Sequence, residues 1–166
     1  MSVVAVYVLD ANVFIEAARR YYAFDLVPRF WTTLEQLARD GRVRSVDHVS
    51  RELARGHDRL AEWASGDFTE AFVSTDGAEV LVEFRNIMGW VTAQGQFTDA
   101  AKEQFARGAD GWLVAYAKAM GYVVVTQEQI SADVRRRVPI PNVCTAFGVR
   151  YVDTFEMLRE LGSRLA

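Results

Sequence analysis

A three-layer α/β sandwich, with one parallel sheet covered by helices on both faces, is the fold this sequence predicts, on three observations. Residues 3–9 and 122–126 are short, nearly continuous apolar runs rich in β-branched side chains, the pattern of strands buried on both faces. Segments of helical periodicity alternate with such runs, which implies parallel strands joined by crossover helices. The chain has 166 residues, 51% of them apolar, with no repeat, low-complexity stretch or long linker, which suits a single domain over residues 1–166.

The first strand ends at Leu9, and NVFIEAARRYY then turns helical. Pro28 opens a second helix, in which Trp31, Leu34 and Leu37 recur at helical spacing and Gly41 supplies the stop. A strand over residues 43–46 follows. HVSRELARG is helical with Val49 and Leu53 on one face, and LAEWA is a further helix. Residues 72–74 are either a short strand or a connection. An amphipathic helix over residues 78–92 carries Val80, Leu81, Phe84, Ile87 and Met88 as its apolar stripe. Thr98 caps a helix running toward Arg107. GADGWLVAYAKAMG is a helix with Asp110 in its first turn and Gly121 at its end, and it feeds the strand at 122–126. After a polar, basic loop, Pro139 and Pro141 precede a helix through VCTAFG. Residues 149–152 form the last strand and TFEMLRELG the closing helix.

Composition narrows the function classes. The formal net charge is −3, whereas a protein that only coats nucleic acid is usually basic, because phosphate neutralisation supplies most of that affinity. The single cysteine, Cys144, has no internal disulfide partner, and His48 and His57 are too few and too scattered for a zinc site. A reducing compartment fits best. The opening MSVVAVYVLD is too short to span a membrane and lacks the flanks of a signal peptide, so the expected location is cytoplasmic, without membrane attachment.

Ligands of parallel α/β sheets bind at the carboxyl ends of the strands. Asp10 directly follows the first strand, and Glu128 lies two residues beyond YVVVT. Asp110 starts the helix that feeds that strand, and Glu52 shares a helix with the inward-facing Val49 and Leu53. Four carboxylates gathered at one edge repel one another unless a cation is present. An oxygen-only ligand set suits Mg²⁺ or Mn²⁺, which can activate a water and offset phosphate charge. Each acid also has a structural reading: Asp10 as an N-cap, Asp110 as a first-turn acid, Glu52 paired with Arg51 or Arg55, and Glu128 as a loop acid.

The runs LDANVFIEA, VSREL and ADGWLVAYAKAMGYVVVTQE resemble, in order, the signatures of PIN-domain proteins, and the resemblance covers essentially the whole chain. It is closest to a divergent PIN-like bacterial branch, similar to VapC-type toxin ribonucleases. The resemblance implies a parallel α/β sandwich that cleaves RNA with Mg²⁺ or Mn²⁺, as the toxin of a type II toxin–antitoxin pair. Carried over by position, the catalytic acids are Asp10, Glu52, Asp110 and Glu128, with Asp10, Asp110 and Glu128 holding the metal. Asn12 and Thr126 match the small polar residues beside the first and fourth acids. Many PIN proteins have Asp in the fourth position, so Asp133 competes with Glu128, and Asp47 competes with Glu52. Arg19, Arg20, Arg51 and Arg55 are candidates for holding RNA phosphates, together with Arg135, Arg136 and Arg137. Tyr21, Tyr22 and Trp31 are candidates for stacking on bases. The implied partners are RNA, a cognate antitoxin and a second copy of the chain. Two other classes compete: a PIN-like nucleic-acid or partner-binding module of weak activity, and a phosphotransfer domain with Asp10 as phosphoacceptor. Asn12 stands where an Asp-x-Asp hydrolase needs its second acid, and the two lysines, Lys102 and Lys118, do not follow a late strand as a receiver domain requires.

Overall fold

The computed structural model describes residues 4–165. Residues 1–3 and 166, at the ends of the predicted domain, lie outside the described residues, and with them Val3 of the predicted opening strand.

Among the described residues, five parallel strands form one sheet: β1 (Tyr7–Leu9), β2 (Val43–Val46), β3 (Phe72–Val73), β4 (Val123–Val125) and β5 (Tyr151–Val152), in the order β3-β2-β1-β4-β5. The two apolar runs are the central pair. Tyr7, Val8 and Leu9 stand in register with Val123, Val124 and Val125, and all six side chains are buried. The edge strands are two residues long, so the predicted strand at 149–152 narrows to its second half and the ambiguous 72–74 segment resolves as a strand.

Between β1 and β2 run α1 (Ala11–Glu16), a π-helical turn (Ala17–Tyr21) and α2 (Pro28–Arg39). Between β2 and β3 run α3 (Asp47–Ala54) and α4 (Arg59–Ser65). The longest connection holds α5 (Ala78–Ala93), α6 (Asp99–Arg107) and α7 (Asp110–Met120). After β4 come α8 (Ile140–Phe147) and, beyond β5, α9 (Thr154–Glu160). The sheet grows in one direction from β1 through β2 to β3 and in the other from β4 to β5. Right-handed crossovers therefore place α1 to α4 on one face and α5 to α8 on the other.

Aromatic packing agrees with that division. On the first face Phe14 meets Trp63, Phe68 and Phe72 at ring distances of 6.0, 5.6 and 6.1 Å. On the second, Phe84 stacks on Trp112 at 3.8 Å and Trp90 meets Phe147. Two expectations need correction. Leu81 is 39% exposed, and the buried face of α5 runs through Val80, Ile87 and Val91 instead, because the helix is apolar on more than one side. Trp31 is 2% exposed, with its indole N–H donating to the Tyr22 carbonyl at 2.7 Å, so it is core and offers no face to a base.

Candidate acidic active site

Parallel pairing sets the carboxyl ends of β1 and β4 side by side. The Asp10 N–H donates to the Val125 carbonyl at 3.0 Å, which brings the residues just past each strand together. Thr126 Oγ1 donates to Asp10 Oδ2 at 3.0 Å, both groups buried, and the same oxygen accepts the Glu128 N–H at 3.2 Å. One hydroxyl thus orients the first acid and shapes the turn that carries the fourth.

Asp110 arrives by a different route. α7 leads into β4 and so runs against the strand direction, which puts its first residue at the strands' carboxyl edge. Glu52 Oε1 accepts the N–H of Ala109, the residue before Asp110, at 3.3 Å. Gly111, the residue after it, lets α7 sit close to its neighbours: a Cβ there would lie 3.1 Å from both the Phe105 and the Phe84 ring.

Glu128 is held at both oxygens. Oε1 accepts from the Arg137 guanidinium at 2.9 Å and Oε2 from the Ile140 N–H at 3.4 Å, in the first turn of α8. The loop between β4 and α8 is further fixed by Asn142, which receives the Ser131 N–H and donates to the Ser131 carbonyl.

Electrostatics link the four acids. Burial and then the Glu128 charge push Asp10 up to about 7, with Glu52 adding to the shift; the Thr126 hydroxyl and the Asn12 backbone N–H oppose it. Asp110 is raised well above the ordinary carboxylate range by burial, then by Asp10, Glu128 and Glu52, with Arg137 pulling it down. Glu128 is raised by burial, against Arg137 and the Ile140 N–H. Beneath them Cys144 is pushed up to about 12 by burial and by Glu128 and Asp10, so it stays a thiol.

The structural readings can now be weighed. Asp10 sits at the N-cap position of α1, where its side chain faces the Asn12 N–H without closing a full capping hydrogen bond. Glu52 pairs with neither Arg51 nor Arg55 among the described residues; Arg51 pairs instead with Asp47 at 3.5 Å. Asp47 also accepts from the Thr75 hydroxyl and from the His48 N–H, each at 2.9 Å, so its carboxylate ties α3 to the residues just past β3. Asp133 is exposed on the loop between β4 and α8, whereas Glu128 is largely buried.

The arginine candidates separate in the same way. Arg20 pairs with Glu16 at 3.5 Å, Arg19 is exposed, and Arg55 lines a shallow groove with Glu52, Arg107 and Gly108. Of the three loop arginines, Arg137 reaches the acids, while the Arg135 carbonyl anchors the loop by accepting the Thr98 N–H at 2.9 Å. Sequence reasoning gave these three arginines equal standing, since a loop has no periodicity to separate them. On the other side of Glu128 lies a groove of about 1030 Å³ lined by Asn12, Glu16, Tyr21, Asp153, Phe155 and Glu156 among others. The π-helical turn after α1 brings Tyr21 to this groove, where its ring meets Phe155 at 6.3 Å. Tyr22 stacks on Phe30 at 4.3 Å and belongs mostly to the core.

A divalent cation fits this donor set in one form and not in another. Asp10 and Asp110 are carboxylates without an ion-pair partner among the described residues, crowded by other negative charge. Oxygen-only donors of this kind suit a hydrated Mg²⁺ or Mn²⁺ held by one or two carboxylates. A cage of three or more directly ligating Asp, Glu, His or Cys side chains is not assembled among the described residues.

This acidic carboxyl edge on a five-stranded parallel sheet, clad on both sides, defines a PIN-like α/β protein. The chain belongs to the family described as "Domain of unknown function (DUF4411)", whose model matches residues 7–165. By sequence, no curated protein matches it. Solved structures similar to it include VapBC2 from Rickettsia felis bound to a DNA fragment from their promoter, with 14% identity, 89% of this chain and 98% of that one covered, and a TM-score of 0.53. FitAcB from Neisseria gonorrhoeae is similar at 21% identity over 88% of this chain and 96% of that one, TM-score 0.54. FitAB bound to an IR36 DNA fragment is similar at 19% identity over 89% and 94%, TM-score 0.55. At these identities the likeness carries the fold.

Proposed function

We propose that this protein is a Mg²⁺- or Mn²⁺-dependent endoribonuclease acting as the toxin of a toxin–antitoxin pair. The observation that carries this reading is the convergence of the acids at the carboxyl edge of β1 and β4, where the Thr126 hydroxyl joins Asp10 to the Glu128 turn and Glu52 holds the residue before Asp110. Asp10 and Asp110 would hold the cation. Glu128 and Glu52 lie at the rim of the pair and would orient a water for attack on the phosphate. Thr126 keeps Asp10 in its rotamer, and the Asn12 backbone N–H faces the same carboxylate. When bound, the cation supplies a Lewis acid for the phosphate and a lowered pKa for the attacking water. RNA as the substrate follows from the PIN-domain resemblance. A protein partner is supported by the likeness to VapBC2 and FitAB, both bound to a DNA fragment in their structures.

The test is cleavage of labelled single-stranded and hairpin RNA by the purified chain with Mn²⁺, alongside Asp10→Asn. Wild type is expected to cut only with the cation, and Asp10→Asn to lose cutting while folding normally. Equal cutting by both proteins would overturn the assignment. The alternative, a PIN-like binding module of weak activity, is favoured by the ion pair that occupies Glu128; it predicts Mn²⁺ binding without cleavage of any RNA.

A further inference from the structure

We infer that Arg137 is an exchangeable internal counter-ion: it occupies Glu128 until a divalent cation displaces it. The inference rests on the metal-dependent reading above and concerns how the same site is controlled.

Three observations lead to it. First, Glu128 Oε1 is paired with the Arg137 guanidinium at 2.9 Å and Oε2 is engaged by the Ile140 N–H, so both of its ligating atoms are occupied. Second, Arg137 is a cation that acts on the cluster as well as on Glu128, since it lowers the pKa of Asp110. Third, the pair is asymmetric in burial. The Glu128 side chain is 11% exposed and the Arg137 side chain 55%, so the cation and not the carboxylate is free to swing into solvent.

A half-exposed ion pair is weakly held and gives way to a stronger local charge. A divalent ion at Asp10 and Asp110 would repel the guanidinium and leave Glu128 free to turn toward the ion's bound water. Arg137 then leaves through the groove it already lines. Arg137 is thus a positioning residue that acts through Glu128.

Calorimetric titration with Mn²⁺ alone, on the full chain without RNA, tests this. Arg137→Gln is expected to bind Mn²⁺ about three- to fivefold more tightly than wild type, the scale of a lost partly exposed ion pair. Arg137→Lys keeps the charge and is expected to stay near wild type. In a Glu128→Gln background, Arg137→Gln is expected to bring a clearly smaller gain, because only the guanidinium's direct effect on the cluster remains. Thermal melts of each variant establish that the fold is kept. Unchanged or weaker Mn²⁺ binding by Arg137→Gln overturns the inference, as does a gain undiminished by Glu128→Gln. Wild type and variants all failing to bind Mn²⁺ overturns the metal-dependent reading itself.

Discussion

At the scale of single residues, Thr126 bears more than its size suggests. Its hydroxyl is the only side-chain donor found on the Asp10 carboxylate among the described residues, and it also receives the Glu128 N–H. Thr126→Val keeps the volume and β-branching but leaves a buried acid without that donor. The expected cost is about 1–3 kcal/mol of stability, read from the urea midpoint. Mn²⁺ affinity is expected to fall about tenfold, since groups that orient metal ligands matter on that scale. The Asp-x-Asn and Thr-x-Glu spacings were legible as strand-end acids because a buried strand followed by a polar residue can only deliver that residue at the sheet's edge. Which of Asp47 and Glu52 joins the edge was not legible. The choice turns on Thr75, a residue from a distant loop whose hydroxyl claims Asp47. The role of Arg137 was hidden for the same reason: it depends on how a loop folds back on Glu128 nine residues away, and no pattern encodes that return.

At the scale of elements, the start of α7 is the most tightly specified part of the site. Glu52 secures the Ala109 N–H, Asp110 opens the helix, and Gly111 admits Phe84 and Phe105 against it. Gly111→Ala places a methyl at 3.1 Å from two rings already fixed by packing, one of them stacked on Trp112. Overpacking of this kind costs about 1–3 kcal/mol, although alanine is the better helix former, and chemical denaturation is expected to register a loss and not a gain. The elements themselves were largely readable. β1 and β4 stand out because strands buried on both faces need no polar alternation. The edge strands are two residues long and carry almost no periodic signal, which is why 72–74 stayed ambiguous and 149–152 was drawn too long. The π-helical turn at Ala17–Tyr21 has no signature in AARRY; it forms where the end of α1 must turn toward α9.

At the scale of the whole molecule, the acidic edge ties stability to pH. Asp10 rises from an ordinary 3.8 to about 7 on folding, and Asp110 shifts the same way. An acid whose pKa is raised in the folded state binds more protons there than in the unfolded chain, so stability falls as pH rises through the window between those two values. Without metal, the melting temperature is therefore expected to be higher near pH 5 than near about pH 8, and Mn²⁺ is expected to raise it most at the alkaline end, where both carboxylates are ionised. A cation-induced shift as large at the acidic end would contradict this coupling.

The seat of β4 beside β1 also sets when the acidic edge can assemble. Asp10 and Thr126 touch across 116 residues of chain, so the central pairing closes one of the longest loops in the fold, a slow kind of contact to form. During synthesis from the N-terminus, β1, β2 and β3 can emerge with their helices and their aromatic layer, while the centre of the sheet has one unfilled side. Asp10 and Glu52 are present by then, but Asp110, Thr126 and Glu128 are not. In a chain of this topology the acids of β1 and α3 wait for those of α7 and β4, and the same late step that completes the centre of the sheet completes the acidic edge.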